Sequence, residues 1–173
     1  MDIFPSAIGH MVKEGLITTI STVISENMAY TDLADQAARL FGRISQETPE
    51  EVLKSPAMQT LMQVYDFCDT HAQQKVIKLC ANVSRHATTE ETFNNQILPV
   101  LQWLTPKVVV SRFGSDPKSA EQIASIMLNM VHSLNNFYSP SQNFAKFVEK
   151  LEQIQNDGTI ETILSCLKEY VAT

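Results

Sequence analysis

Three hexamers, TPEEVL from Thr48, TTEETF from Thr88 and SPSQNF from Ser139, repeat one local pattern in a chain of 173 residues. Each reads hydroxyl residue, two residues, Glu or Gln, and an apolar residue two places on. A Ser or Thr in front of a helix accepts a hydrogen bond from a free first-turn N–H, and a Glu or Gln three residues later reaches back to the cap's own N–H. The spacing therefore predicts three helix starts, pairing Thr48 with Glu51, Thr88 with Glu91 and Ser139 with Gln142. Pro49 and Pro140 fall at the first helical position, where a missing N–H costs nothing.

Upstream of each hexamer lies an amphipathic segment: LADQAARLFGRIS from Leu33, AQQKVIKLCANVS from Ala72 and SAEQIASIMLNMV from Ser119. Aligned without gaps, they superpose Ala37, Val76 and Ile123, then Leu40, Leu79 and Ile126, then Ile44, Val83 and Met130. That is one apolar stripe at i, i+3, i+7. The first offset is 39 residues and the second 47. Further apolar helices are expected from Ala57 and Asn95, with GLITTISTVISE from Gly15 and GTIETILSCLKEY from Gly158 as the same element at the two ends. Segment 105–118 is expected to be an extended helix end plus a loop, which accounts for much of the longer offset.

Each unit is thus a short capped helix, an apolar helix and a longer amphipathic helix. A three-helix unit of roughly 40 residues is the armadillo-type period, in which no unit buries its apolar face alone. The expected fold is an all-α, armadillo-like (ARM/HEAT) right-handed superhelical solenoid of about three and a half units. Their approximate limits are 1–46, 47–86, 87–134 and 135–173, forming one repeat domain that is a piece of a larger protein. The competing arrangement is a non-repetitive bundle. With only 5 Gly and 7 Pro, the chain lacks the frequent turns of a sandwich or barrel.

Composition narrows the partners. No apolar run approaches the roughly 20 residues that span a bilayer, and the first residues lack the basic start and apolar run of a signal peptide. A net charge of −6 argues against general nucleic-acid binding. Three cysteines, Cys68, Cys80 and Cys166, fit reduced thiols in a cytoplasmic or nuclear compartment. A zinc site from Cys68, His71, Cys80 and His86 has none of the usual structural spacings, and Cys68 and Cys80 continue apolar stripes as core thiols. No phosphate loop, HExxH, GxSxG or CxxC occurs. His10, His71, His86 and His132 read as solvated, and the acidic pairs Glu50–Glu51 and Glu90–Glu91 fit first-turn positions favoured by the helix dipole. No catalytic residue, cofactor or metal ligand is expected, and the segment itself reads as non-enzymatic.

In an armadillo stack the third helix of each unit lines a concave face. Its outward rows here are Gln36, Arg39, Arg43 and Gln46; Lys75, Lys78, Asn82 and Arg85; and Gln122, Ser125, Asn129 and Ser133. Three of the chain's four arginines stand in these rows. The expected partner-binding residues are Arg39, Arg43, Lys75, Lys78, Asn82, Arg85, Ser125 and Asn129, facing an acidic or polar protein surface. A merely solvated helix face is the alternative. Nuclear-import armadillo proteins clamp basic peptides with a ladder of Trp and Asn. The corresponding pairs here, Arg39/Arg43, Lys78/Asn82 and Ser125/Asn129, keep asparagines but no tryptophan, and their positive charge would repel a basic signal. The only tryptophan, Trp103, belongs to a second helix.

The run from Val64 to Leu104, VYDFCDTHAQQKVIKLCANVSRHATTEETFNNQILPVLQWL, resembles the armadillo region of large HECT-type ubiquitin ligases of the ubiquitin-fusion-degradation class, which includes the thyroid-receptor-interacting ligase. The likeness is carried by Ala72-Gln73, Ala81-Asn82, Phe93 and Leu98-Pro99-Val100-Leu101, and extends loosely over residues 15–135. It implies a substrate- or ubiquitin-recognition module acting for a distant catalytic domain whose cysteine has no counterpart here, since Cys166 lies in a helical pattern; the chain is separately expected to be a monomer. An armadillo scaffold or transport-type adaptor unrelated to ubiquitin is the other reading of the same residues.

Overall fold

The computed structural model describes residues 5–28, 30–104 and 117–137, with a few positions between 145 and 161. Among the described residues every regular element is helical and no strand occurs. The chain divides into two compact units, Met1–His86 and Ala87–Thr173.

The first unit begins with α1 (Pro5–Lys13) and α2 (Leu16–Glu26). Gly15 separates them at φ 90°, a left-handed conformation that a side chain would resist, and its N–H returns to the Val12 carbonyl at 3.0 Å. α2 buries Ile17, Ser21 and Ile24 along one stripe and ends at Asn27, whose Nδ2 donates to the Val23 carbonyl at 2.7 Å. α3 (Thr31–Glu47) buries Ala34, Ala37, Ala38, Phe41, Ile44 and Ser45. Small residues at four of these six positions let a neighbouring helix approach closely.

A short α4 (Pro49–Lys54), α5 (Ala57–Val64) and a long α6 (Thr70–Ser84) follow, with a 3₁₀ turn at Tyr65–Phe67. Pro49 stands at the start of α4 as expected. Ser55 joins α4 to α5: its hydroxyl donates to the Val52 carbonyl at 2.6 Å and accepts from the Ala57 N–H at 3.2 Å. α6 packs along α3, α4 closes against both, and α5 packs on α2 and α3.

In the second unit, α7 covers 90–104. It opens as an α-turn at Glu90–Thr92, widens to a π-helix at Phe93–Ile97 and runs on as α-helix through 98–104. Pro99 explains the widening. It has no N–H for the carbonyl four residues back and its ring would crowd that oxygen, so the preceding turn takes a looser register. α8 (Pro117–Phe137) packs against the π segment, and Ser133 Oγ donates to the Ala87 carbonyl at 3.4 Å.

The aligned stripe holds at eight of its nine positions: Ala37, Ile44, Val76, Leu79, Val83, Ile123, Ile126 and Met130 are buried. Leu40 is the exception. It is half-buried, while the adjacent Phe41 is fully buried. One residue's turn of 100° separates them, and the larger aromatic surface takes the centre of the face. Cys68 and Cys80 are buried thiols.

The caps depart from the expected pairs. Thr48 precedes α4, but its hydroxyl makes no capping bond and instead lies 3.3 Å from the Ile44 carbonyl, as a donor. Because α3 ends one residue before α4 begins, the orphan carbonyls of α3 compete for that hydroxyl. The second cap is Thr89 rather than Thr88, its Oγ1 accepting from the Thr92 N–H at 3.1 Å. The Ser139–Gln142 pair, most of segment 105–118, the helix expected from Gly158 and Cys166 lie outside the described residues.

Candidate partner-binding face

Two ties pin α6 to α3. Near their N-terminal ends, the Asp69 N–H donates to Asp35 Oδ1 at 3.4 Å. At their C-terminal ends, Asn82 Nδ2 donates to the Ser45 carbonyl at 2.9 Å. Asp35 precedes Ser45 on α3 as Asp69 precedes Asn82 on the α6 segment, so the two helices run parallel and level with each other. Arg39 and Arg43 fall between the ties on one helix, Lys75 and Lys78 on the other.

The Ser45 tie follows from helix chemistry. Carbonyls in the last turn of α3 have no partner within the helix; that of Ile44 accepts the Thr48 N–H at 2.8 Å, and that of Ser45 takes Asn82. At the other end, Asp69 caps α6, its carboxylate accepting from the Ala72 N–H at 2.7 Å. That bond chiefly holds the Asp69 carboxyl below its ordinary range, helped by the His71 N–H and by the charges of His71 and Arg39. Beneath the seam, Gln73 Nε2 donates to the Tyr65 carbonyl at 3.0 Å, fixing the 3₁₀ turn against α6.

Arg39, Arg43 and Lys78 are exposed and Lys75 is half-buried. None of the four forms an ion pair or a hydrogen bond with another described residue. The ion pair seen instead is a local one on α4, Lys54 to Glu50 at 3.5 Å. Asn82 and Arg85 are engaged internally. Arg85 Nε donates to the Asn82 carbonyl at 3.1 Å and its guanidinium also donates to Asn82 Oδ1, so both ends of the Asn82 amide are occupied. Ser125 Oγ donates to the Glu121 carbonyl at 3.0 Å, and Asn129 is half-buried on α8. Ser125 and Asn129 belong to the second unit, the other six residues to the first.

The sequence reading overlooked the Asn82–Ser45 tie and the Asp69 cap. The second had a signal, an Asp directly before an apolar-periodic helix. The first had none, because it joins residues 37 positions apart.

Among the described residues no three His, Cys, Asp or Glu side chains gather where they could hold a metal. His10, His71 and His132 are exposed and His86 is half-buried. No described helix is long and apolar enough to cross a membrane. Among the described residues two buried polar atoms, Ser21 Oγ and Gln73 Oε1, lack a hydrogen-bond partner, and they sit on different helices.

No family model matches the chain, and no solved structure does. Two curated proteins are similar along nearly its whole length. "E3 ubiquitin-protein ligase UPL3" of Arabidopsis thaliana is 24% identical over 166 residues, covering 96% of this chain and 8% of that protein. "Ubiquitin fusion degradation protein 4" of Saccharomyces cerevisiae is 25% identical over 170 residues, covering 96% of this chain and 11% of that protein. The chain is therefore distantly similar to a region of an E3 ubiquitin-protein ligase and of a ubiquitin fusion degradation protein. It spans about a tenth of their length.

Proposed function

We propose that this chain is a non-catalytic protein-interaction region of a HECT-type ubiquitin ligase, recognising a substrate protein or the ubiquitin attached to it. Its repeats are those of an armadillo-like solenoid forming one repeat domain, and the parallel third helices α3 and α6 carry the partner face. In the first unit that face comprises Arg39, Arg43, Lys75, Lys78 and Arg85, with Asn82 as its internal brace, and in the second unit Ser125 and Asn129 are the partner-binding residues. Its partner offers an acidic or polar protein surface, and the work is done by a monomer in the cytoplasm or nucleus.

One observation carries the reading. Among the described residues, four cations on two level, parallel helices form no ion pair, in a chain of net charge −6 similar to an E3 ubiquitin-protein ligase and to a ubiquitin fusion degradation protein. Unpaired like charges gathered on one strip repel each other, and an incoming anionic surface relieves that repulsion while steering the encounter. The fold-level likeness supplies no activity by itself. Recognition requires only the strip.

The test is a titration of the purified chain with free ubiquitin and with a ubiquitin-fused model substrate. Saturable binding to one of them is expected. Absence of binding to both overturns the ligase-recognition reading.

A further inference from the structure

We infer that the segment bound on this face is linear and carboxylate-rich, lying along the seam between α3 and α6. The inference rests on the partner-binding reading of the same strip and goes on to name the chemistry that the strip selects.

Asn82 decides which kind of recognition is available. A free asparagine amide clamps a peptide backbone and is indifferent to the peptide's side chains. Here Nδ2 is committed to Ser45 and Oδ1 to Arg85. What the strip offers instead is charge: the guanidinium groups of Arg39 and Arg43, and the ammonium groups of Lys75 and Lys78. Arginine forks match carboxylates in a bidentate geometry, and lysines add compact point charges. The ligand is consequently selected by its own anionic side chains.

The dimensions favour a linear ligand. Arg39 and Arg43 are one helical turn apart, as are Lys75 and Lys78, so neighbouring cations on each helix stand roughly 5–6 Å apart. An extended chain advances about 3.3 Å per residue and sends alternate side chains to opposite sides. Acidic residues two apart in such a segment are spaced about 7 Å, close to the step of the cations. The strip is also asymmetric. Asp35 and Asp69 close its N-terminal end with negative charge, and at the other end Arg85 stands beyond Lys78 while Glu47 follows Arg43 by one turn on α3. The acidic residues of the ligand therefore sit between these ends, over Arg39, Arg43, Lys75 and Lys78, and its neutral residues pass Asp35 and Asp69.

The experiment uses the whole chain and a short labelled peptide of alternating Glu and Ser, followed by anisotropy at about 50 mM and about 300 mM salt. Controls are the same peptide with Gln for Glu and a single-stranded oligonucleotide of matched charge. The Glu peptide binds, the Gln peptide does not, and high salt weakens binding about tenfold or more. Arg39→Glu with Lys78→Glu abolishes binding, whereas Lys13→Glu, on α1, binds as the parent does. If the double reversal fails to fold, Arg39→Gln with Lys78→Gln takes its place and weakens binding about tenfold. The inference is overturned if the Glu peptide does not bind, if the charge-altered variants bind it unchanged, or if the oligonucleotide binds equally well. Should the peptide fail while the same reversal still abolishes ubiquitin or substrate binding, the face stands and its carboxylate chemistry is wrong. If neither ligand responds to the reversal, the face itself is misassigned.

Discussion

Asn82 Nδ2 donates to the main-chain carbonyl of Ser45 at 2.9 Å, joining the last turns of two helices whose residues lie 37 positions apart. The bond satisfies an orphan helix-end carbonyl and fixes α6 level with α3. Replacing Asn82 by Ala leaves that carbonyl without its donor and frees Arg85, at a cost of about 1–3 kcal/mol. Urea unfolding of Asn82→Ala measures it. A midpoint unchanged from the parent would show that water serves Ser45 equally well.

The helix starts give a sharper comparison. Thr89→Ala removes the acceptor of the Thr92 N–H and costs about 1 kcal/mol. Thr88→Ala and Thr48→Ala remove no cap acceptor and cost less than about 0.5 kcal/mol each. Thermal melts of the three single variants, ranked together, check this order. A larger loss at Thr88 than at Thr89 would return the cap to the position the hexamer suggests.

Much of the fold was legible because it is written at helical period. The stripe Val76, Leu79, Val83 repeats in Ile123, Ile126, Met130, and all six are buried. The proline at residue 49 marks a helix start, since its missing N–H costs nothing at the first helical position. What the pattern could not convey was competition between neighbours. Leu40 and Phe41 are both apolar and adjacent, and only the packing of α6 and α5 on α3 decides which one reaches the centre. Thr48 lies between two helices and serves the end of one rather than the start of the other. The basic residues were visible as outward rows, but the engagement of Asn82 and Arg85 with each other and with Ser45 depends on a tertiary contact that no local pattern encodes.

The stripe itself predicts a graded series. Leu79→Ala empties a fully buried site and costs about 2–5 kcal/mol, and Phe41→Ala costs about 3–5 kcal/mol. Leu40→Ala, at a half-buried site, costs about 1 kcal/mol. Denaturant midpoints of the three variants test the ranking. Equal losses at residues 40 and 41 would mean that the face of α3 is rotated from the one described.

Cys68 and Cys80 provide a pH-dependent check. Burial pushes the Cys80 thiol up to about 12, and burial with the charges of Asp35 and Asp69 pushes Cys68 up to about 11. The thiolate is the reactive form, so neither residue is alkylated in the folded chain near neutral pH, and both are alkylated in urea. Because the unfolded thiols ionise near 9.0, the folded state holds more protons above that pH, and stability falls as pH rises from about 9 toward 11–12. Peptide mapping after iodoacetamide treatment resolves each site. Rapid labelling of Cys80 under native conditions would contradict its burial.

The central claim is that the strip of Arg39, Arg43, Lys75 and Lys78 is a protein-binding face of a ligase region. Its most direct test is the titration of the Arg39→Glu, Lys78→Glu double variant with ubiquitin and a ubiquitin-fused substrate, beside its melting curve. The account predicts lost or strongly slowed binding with a melt within about 0.5 kcal/mol of the parent, as exposed substitutions give. Binding retained at full strength with an unchanged melt would contradict it and reduce the strip to a solvated surface.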